Sequence, residues 1–348
     1  MVTSLRLYSG KSAIAVLILS AALLSTEDAD AQLFKRKKTQ SVPAVAPLAP
    51  GQYEWHPERS PVGPLLVVVS IDDQMAYVYR NAVQIGRSTV STGAEGHDTP
   101  TGVFTILEKH KEHESSIYKG AQMPNMQRLT WSGIAMHAGK LPGYPASHGC
   151  VRLPLEFSEK LFSITDKGGT VVITKKAATP SYSAKTASIL LATKVEPGSR
   201  LSAEMVGKTV WEPERSPSGP VNLLLSGRDR TIYIYRNGIL IGQTPIALEE
   251  PEKPIHAGVF LMLEGVERGV NQVVPGKPMR PWAVLSLDQG APADAGEDIR
   301  RRLRIPPDFG RKAYDLITPG SILLTTPEGV SPQTSSARDF TIMTPQGR

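Results

Sequence analysis

Short apolar runs, and stretches in which apolar and polar residues alternate, recur along residues 53–326. Runs of about four to eight such residues between turn residues predict β-strands, because successive side chains of a strand point to opposite faces. A short helix is predicted after Pro154, ending before Gly168 and Gly169. In the first half of the chain the predicted strands are residues 65–70, 75–79, 83–90, 102–108, 133–138 and 170–174, and the predicted helix is residues 155–163.

The same pattern occurs twice along the chain. Residues 55–104 align with residues 211–260 without a gap, and 19 of these 50 positions are identical. One shared motif is Trp-x-Pro-Glu-Arg-Ser-Pro, which begins at Trp55 and again at Trp211. A period of about 155 residues indicates two duplicated domains and not a solenoid. We therefore predict a mainly β protein with two tandem β-rich sandwich domains, each with one or two short helices.

The ends of the chain and the stretch between the repeats differ in composition. Residues 1–31 combine a positively charged start, an apolar stretch too short for a comfortable membrane span and an Ala-Asp-Ala site. This predicts a secretory signal peptide and export to the periplasm or cell wall; an uncleaved membrane anchor is the alternative. The predicted organisation is a signal peptide (1–31), a basic and proline-rich linker (32–52), a first domain (53–176), a second linker (177–208), a second domain (209–326) and a flexible tail (327–348).

The net charge of the chain and its single cysteine limit the classes of function that the protein can have. The formal net charge of +6 at pH 7 suits an anionic wall or membrane surface, or is a general solubility charge. Basic segments are not interleaved with aromatic residues, so nothing indicates a nucleic-acid partner. An exported protein usually pairs its cysteines or has none, so the single Cys150 is an inert thiol, an intermolecular bridge or a reactive nucleophile. The sequence leaves the oligomeric state open.

The residues around Cys150 favour a nucleophile. They read Ser147-His-Gly-Cys-Val-Arg152, and His137 precedes them on a predicted strand. A thiol with a pKa near ~8.5 is mostly protonated at neutral pH, and a nearby imidazole can take its proton and later return it to a leaving amine. The pattern resembles the signature of the YkuD-type L,D-transpeptidases, a histidine on one strand followed by Ser/Thr-His-Gly-Cys-aliphatic-Arg/Asn. The resemblance covers roughly residues 62–175.

The resemblance implies that Cys150 is the catalytic nucleophile and His137 its base. Gly149 permits a tight turn before the nucleophile, so that backbone N–H groups can face a developing oxyanion. A helix that begins near Leu155 would add to thiolate stability through its N-terminal partial charge.

Three further residues of the motif have open roles in oxyanion or substrate binding. Ser147 is either a turn residue or part of the site. His148 is either structural or lines the oxyanion position, and Arg152 either contacts a substrate carboxylate or forms a structural ion pair.

The resemblance also implies a reaction and a fold, a β-rich sandwich with the site at the mouth of a groove. The thiolate attacks the carbonyl between the L-centre of meso-diaminopimelate and D-Ala in a peptidoglycan stem tetrapeptide, and D-Ala leaves. A neighbouring stem peptide then gives a 3→3 cross-link, a free D-amino acid gives exchange, and water gives L,D-carboxypeptidation. Some relatives attach or release lipoproteins. No cofactor or metal is implied.

Two alternatives from other classes stay open. His137, His148 and Cys150 could be three zinc ligands, although no fourth ligand stands at a familiar spacing. The protein could also be a non-catalytic wall-binding module. For the second repeat we predict a catalytically dead accessory domain, because alignment places Asp288 opposite His137 and Arg302 opposite Cys150. Its basic residues 300–304 would form a groove for an anionic peptide or glycan, or a solvated charge run.

Overall fold

The computed structural model describes residues 46–115, 117–118, 120–176, 181–182, 199–200, 203, 205, 207–269, 271, 274–287 and 294–329. The predicted signal peptide, most of the first linker, most of the second linker and most of the tail lie outside the described residues. Those from Leu48 onward belong to one compact unit. No helix of the described residues is long and apolar enough to cross a membrane.

Strands dominate the described residues, which confirms the predicted mainly β fold. We call residues 53–176 the N-terminal module and residues 209–326 the C-terminal module. The N-terminal module contains β1 (Tyr53–Trp55), β2 (Leu65–Ser70), β3 (Met75–Arg80), β4 (Val83–Thr89), β5 (Gly102–Thr105), β6 (Glu108–His110), β7 (Met126–Arg128), β8 (Ala135–Ala138), β9 (Val151–Leu153), α1 (Leu155–Ile164) and β10 (Thr170–Thr174). After β11 (Ser181–Tyr182), the C-terminal module contains β12 (Val210–Trp211), β13 (Val221–Ser226), β14 (Thr231–Arg236), β15 (Ile239–Pro245), β16 (Ala247–Leu248), β17 (Gly258–Met262), β18 (Trp282–Ser286), α2 (Ala295–Arg302), β19 (Leu303–Arg304), α3 (Pro307–Leu316) and β20 (Ile322–Thr326).

The N-terminal module has two sheets with an apolar core. One sheet has six strands in the order β1-β4-β3-β2-β10-β5, and the other has four in the order β6-β7-β8-β9. Val67 and Val69 of the first sheet share one buried cluster with Met136 of the second and with Phe157 and Leu161 of α1. The cluster excludes water and fixes the second sheet, which carries His137, on the first.

The predicted strand 102–108 is wrong as a single element, because β5 and β6 belong to different sheets. The Ile106 N–H donates to the Gly169 carbonyl at 2.9 Å, whereas the Leu107 N–H donates to the Arg128 carbonyl at 2.8 Å. The chain therefore passes from one sheet to the other between these two residues. The apolar run predicts a strand but carries no information on which sheet each residue joins.

The main sheet of the C-terminal module has a similar strand order. It runs β11-β18-β17-β20-β13-β14-β15-β12, so β12 to β15, β20 and β17 repeat the order of the six-stranded sheet. Local contacts also recur. Arg80 donates to the carbonyls of Ser60 and Pro61 at 3.1 and 3.0 Å, and Arg236 donates to the two corresponding carbonyls at the same distances. These observations are consistent with the duplication proposed from the sequence.

The modules differ in their second layer. In the described part of the C-terminal module the second sheet has two strands, β16 and β19, whereas that of the N-terminal module has four. Its β18 pairs with β17 and so extends the main sheet. Strand β11 pairs with β18 at the edge of that sheet, although residues 181–182 lie in the stretch predicted as a linker.

A third apolar cluster, the module interface, joins the two main sheets. Leu66 and Val68 of β2 belong to it, whereas Val67 and Val69 belong to the core of the N-terminal module. Both faces of β2 are therefore buried, which explains why its sequence is a continuous apolar run and not an alternation. The buried members of the interface are Leu66, Val68, Tyr79, Val103, Val172, Leu224, Val259, Leu261, Leu263, Ala283, Leu285, Ile322 and Leu324.

We expect Leu324→Ala to lower the free energy of unfolding by about 2–4 kcal/mol, because Leu324 is fully buried in the module interface. Urea denaturation followed by circular dichroism measures this. The matched control is Val266→Ala, since Val266 is 68% exposed and its truncation should change the free energy by less than about 0.5 kcal/mol. Equal effects of the two substitutions would show that the interface contributes little.

Candidate active site

One cavity of about 500 Å³ contains the motif predicted from the sequence. Its walls come from the segment before β7, from β8 and the residues on either side of it, and from the turn that precedes β9. The predicted residues His137, Ser147, His148, Cys150 and Arg152 all line it. Gly149 is buried beside them. The fold therefore brings the six predicted site residues to one place.

Parallel pairing of β8 and β9 sets the relative position of His137 and Cys150. In the register of this pair, His137 stands opposite Arg152, and Cys150 directly precedes β9. Side chains two residues apart on a strand point to the same face, so Cys150 and Arg152 lie on one face of the ladder beside His137. The other edge of β9 is also held, because Arg152 and Ser91 exchange two backbone hydrogen bonds of 3.0 Å.

The Cys150 thiol is half-buried and packs beside Met123, Met126 and Ala135. The S–H donates to the Gly133 carbonyl at 3.6 Å. Burial raises the pKa of Cys150. The Ala135 backbone N–H and the positive charges of Arg152 and Arg128 lower this pKa but do not cancel the effect of burial. The thiol is therefore protonated at neutral pH and needs a base to become a nucleophile.

The His137 imidazole is buried, and its tautomer follows from one contact. Nδ1 lies 2.8 Å from the Ala138 carbonyl, which can only accept, so Nδ1 carries the proton and donates. Burial lowers the pKa of His137, and the charge of Arg152 lowers it as well. The ring is thus neutral at pH 7, and its Nε2 has a free lone pair that can take a proton.

Gly149 and Ser147 shape the turn before the nucleophile. Gly149 has φ +101°, and a Cβ there would lie 2.8 Å from the Ile134 Cδ1 atom, so only glycine fits. The Ser147 hydroxyl accepts the Gly149 N–H at 3.1 Å and donates to the Cys150 carbonyl at 2.5 Å. Ser147 therefore acts here as a turn residue, the first of the two roles left open by the sequence.

His148 is exposed at the rim of the cavity, between two other rings. Its ring centroid lies 4.6 Å from that of His97 and 4.5 Å from that of Tyr118. Neither neighbour was singled out by the sequence, because neither stands near the motif along the chain. The stack gives His148 a structural contact at the cavity wall.

Arg152 supplies positive charge to the cavity. Its aliphatic stem lies against Gly139, where an added Cβ would approach the Arg152 Cγ atom to 2.9 Å. Lys140 is a second cation of the lining, and the described lining residues include no aspartate or glutamate. No carboxylate of the described residues forms a salt bridge with Arg152, so the structure does not show the ion pair that the sequence left open. The cavity favours an anionic ligand.

Comparison with known families decides the class of this domain. Residues 64–173 match the model of the YkuD family, described as the L,D-transpeptidase catalytic domain. This segment, about one third of the chain, is similar to the YkuD family, and we call it the YkuD domain. The match includes every predicted site residue of the N-terminal module and confirms the resemblance read from its motif. A comparison with curated proteins gives no match.

Solved structures similar to the YkuD domain are themselves L,D-transpeptidases. One from Mycobacterium smegmatis is 21% identical with a TM-score of 0.31, and covers 32% of this chain and 59% of its own. One from Stackebrandtia nassauensis is 29% identical with a TM-score of 0.31, and covers 33% and 57%. L,D-transpeptidase 3 from Mycobacterium tuberculosis, in complex with a faropenem-derived adduct, is 23% identical with a TM-score of 0.30, and covers 32% and 60%. The chain thus spans less than two thirds of each of these proteins.

Two expectations about the chemistry of the YkuD domain change with the geometry. Strand β9 lies between Cys150 and Leu155, the first residue of α1. Because a strand rises by about 3.3 Å per residue, the thiol is far from the first turn of the helix. The helix dipole acts only near that turn, so it contributes little to the thiolate. Within the described residues, no group of three or more His, Cys, Asp or Glu side chains is placed to hold a metal, so the three zinc-ligand candidates do not form such a group.

In the C-terminal module the residue aligned with Cys150 is buried and structural. Arg302 is 1% exposed and donates to the backbone carbonyls of Glu249, Glu250, Lys253 and Pro254. Its side chain thereby ties the loop of residues 249–254 to α2. By alignment Arg302 corresponds to Cys150, the predicted nucleophile, so a buried guanidinium stands at the position of the thiol.

The basic residues around Arg302 are paired with carboxylates. Arg300 pairs with Glu297, Arg301 lies 2.9 Å from Asp298, and Arg304 lies 3.5 Å from a Glu249 oxygen. Asp298 also lies 2.7 Å from Arg302. The structure therefore does not support the predicted basic groove, because the positive charges already have acidic partners.

We expect Arg152→Met to raise the pKa of Cys150 further, because the charge of Arg152 favours the thiolate. The pH profile of Cys150 alkylation by iodoacetamide should then move to higher pH, and the rate at pH 7 should fall severalfold. Lys140→Met is the matched control, since Lys140 is exposed on the same cavity and should move the profile less. A profile that stays in place or moves to lower pH for Arg152→Met would contradict this assignment.

Proposed function

We propose that the N-terminal module is a cysteine-dependent L,D-transpeptidase of peptidoglycan. It acts on the bond between diaminopimelate and D-Ala in stem tetrapeptides, and it forms 3→3 cross-links or exchanges D-amino acids. The observation that carries the proposal is the placement of His137 on β8 and of Cys150 directly before the parallel strand β9, lining one cavity, inside the segment that matches the family.

The protonation states support a general-base mechanism. Burial keeps both the Cys150 thiol and the His137 imidazole neutral at rest. The thiol proton passes to Nε2 of His137 as the sulfur attacks the carbonyl carbon, and the same proton goes to the departing D-Ala nitrogen. The C–N bond breaks, and a thioester between Cys150 and diaminopimelate remains. An acceptor amine then loses a proton to Nε2 as it attacks the thioester, and the thiol is restored.

The turn before β9 offers one backbone donor for the oxyanion. The Gly149 N–H is already taken by Ser147. The Cys150 N–H has no hydrogen-bond partner among the described residues. A free N–H on the nucleophile itself lies next to the carbonyl under attack, and such donors contribute about 10²–10³ in rate.

The charge of the cavity fits the substrate class. A stem tetrapeptide carries carboxylates on diaminopimelate and on its terminal D-Ala. Arg152 and Lys140 line the cavity without an acidic residue among its described lining, so they can bind these groups. A neutral or cationic substrate would leave both charges uncompensated.

The predicted signal peptide would bring the enzyme to this substrate in the periplasm or cell wall, and it stays a prediction. For the C-terminal module we propose a non-catalytic role. The single cysteine of the chain lies in the N-terminal module, and Arg302 is buried where alignment places its counterpart. The support is for a structural role, since its main sheet covers the outer face of the catalytic module.

We expect the wild-type protein to release D-Ala from purified disaccharide-tetrapeptide and Cys150→Ser to lose this activity by several orders of magnitude, because no other thiol can form the thioester. Mass spectrometry of the products measures release and identifies the acceptor. A tetrapeptide dimer indicates cross-linking, an exchanged residue indicates a D-amino acid acceptor, and a tripeptide indicates water.

The folded state of Cys150→Ser should match that of the wild type by circular dichroism. D-Ala release by this variant above about 1% of the wild-type rate would exclude Cys150 as the nucleophile. Failure of the wild type to release D-Ala, with the thiol accessible to iodoacetamide, would reject the proposed function.

We expect His137→Ala to lower kcat by about 10²–10⁴, because the proposed base for the thiol proton is then lost. Steady-state release of D-Ala measures kcat. His110→Ala is the matched control, since His110 is exposed and does not line the cavity, and it should keep wild-type activity. A His137→Ala variant within threefold of the wild type would remove His137 from the role of base.

A further inference from the structure

A threonine fifty residues before the nucleophile turn holds that turn in place. The Thr99 hydroxyl donates to the Gly149 carbonyl at 2.8 Å and accepts the Gly93 N–H at 2.8 Å. Thr99 is 5% exposed, so both contacts are shielded from water. Because the hydroxyl has a single proton, the N–H of Gly93 fixes the direction in which it is donated.

The backbone around Thr99 leaves little freedom for this contact to shift. A Cβ at Gly93 would lie 1.9 Å from the His97 carbonyl oxygen, so residues 93–99 form a turn that only glycine can close. Gly93 also forms an isolated parallel β-bridge with Ser147, and the Ala94 N–H donates to the Ser147 carbonyl at 2.9 Å. The segment with Thr99 is thus attached at two places to the turn that precedes Cys150, at residues 93–94 and at the Thr99 hydroxyl.

The Gly149 carbonyl and the Cys150 N–H belong to one peptide plane. In a trans peptide these two groups point in opposite directions. Since the Gly149 carbonyl is directed at Thr99, the Cys150 N–H points away from Thr99. That N–H is without a partner in the described part of the chain, on a residue that lines the cavity.

We infer that Thr99 is a positioning residue for acyl transfer, which orients the Cys150 N–H toward the developing oxyanion by holding the Gly149 carbonyl. The inference rests on the proposed function. It assigns Thr99 no contact with the substrate and no proton transfer. Its hydroxyl is needed when negative charge develops on the carbonyl oxygen, and it is not needed for the thiol to react with a reagent that forms no oxyanion.

Two reactions of Cys150 separate these cases. Imipenem has a strained lactam carbonyl, so its attack by the thiol passes through an oxyanion and leaves an acyl-enzyme that mass spectrometry detects. Iodoacetamide alkylates the thiol by displacement of iodide at carbon and forms no oxyanion. Both rates are measured on the full chain for the wild type, Thr99→Val, Thr99→Ser and Thr165→Val.

The two controls isolate the hydroxyl and its position. Thr99→Ser keeps the hydroxyl and loses only a methyl group. Thr165 is buried like Thr99, and its hydroxyl contacts the Gln127 side-chain oxygen at 2.8 Å and the Leu161 carbonyl at 2.9 Å. It does not line the cavity. Its single proton is donated to one of these two oxygens, so Thr165→Val removes a buried threonine hydroxyl and its hydrogen bond away from Cys150.

For Thr99→Val we expect the acylation rate at saturating imipenem to fall about 10- to 100-fold, because a small misplacement of an oxyanion donor acts on the transition state alone. The imipenem concentration for half-maximal rate and the alkylation rate should stay within about twofold of the wild type. Thr99→Ser should remain within about threefold, and Thr165→Val within about twofold. If Thr99→Val does not fold, Thr99→Ala is judged by the same criteria.

Wild-type acylation by Thr99→Val would overturn the inference and leave the proposed function standing. Equal loss of acylation and alkylation, or a loss in Thr99→Ser as large as that in Thr99→Val, would also overturn it, since either result assigns Thr99 to general folding. A wild-type protein that iodoacetamide alkylates but that neither imipenem nor tetrapeptide acylates would reject the proposed function, and the inference with it.

Discussion

Burial of both faces of the six-stranded sheet is the constraint on which the rest of the structure depends. Its strand β2 directs Val67 and Val69 into the core of the N-terminal module and Leu66 and Val68 against the C-terminal module. A sheet covered on both sides cannot slip in register without exposing apolar side chains to water. The fixed sheet provides the surface on which the four-stranded sheet and α1 pack, and that second sheet carries His137 and begins its last strand directly after Cys150.

This rigid scaffold holds the Cys150 thiol and the His137 imidazole in the wall of one cavity, where both groups are largely shielded from water. Desolvation raises the pKa of Cys150 and lowers that of His137, so neither group is charged before the reaction. A charged pair would need compensation for its burial, whereas a neutral pair needs only one proton transfer during attack. The positive charge of Arg152 then favours the thiolate as it forms and remains available for a carboxylate.

The C-terminal module shares the main sheet of the N-terminal module but not its predicted site residues. Its main sheet includes the six-strand order of the N-terminal module, and the second sheet of its described part has two strands in place of four. Arg302 fills the aligned nucleophile position and binds four backbone carbonyls of one loop. A buried guanidinium satisfied in this way stabilises a closed loop, which is the opposite of an open substrate cavity.

Features that depend on residues near one another along the chain were predictable from the sequence. The apolar runs predicted strands 65–70 and 170–174 with the bounds that the structure has, and Ser147-His-Gly-Cys-Val-Arg152 with His137 marked the family and the candidate site. Tertiary structure alone decided which sheet each half of residues 102–108 joins, which face of β2 meets the other module, and that Thr99 contacts Gly149. These features depend on contacts between residues far apart along the chain. A period of two or a local motif carries no signal about such partners, because it reports only what lies within a few residues.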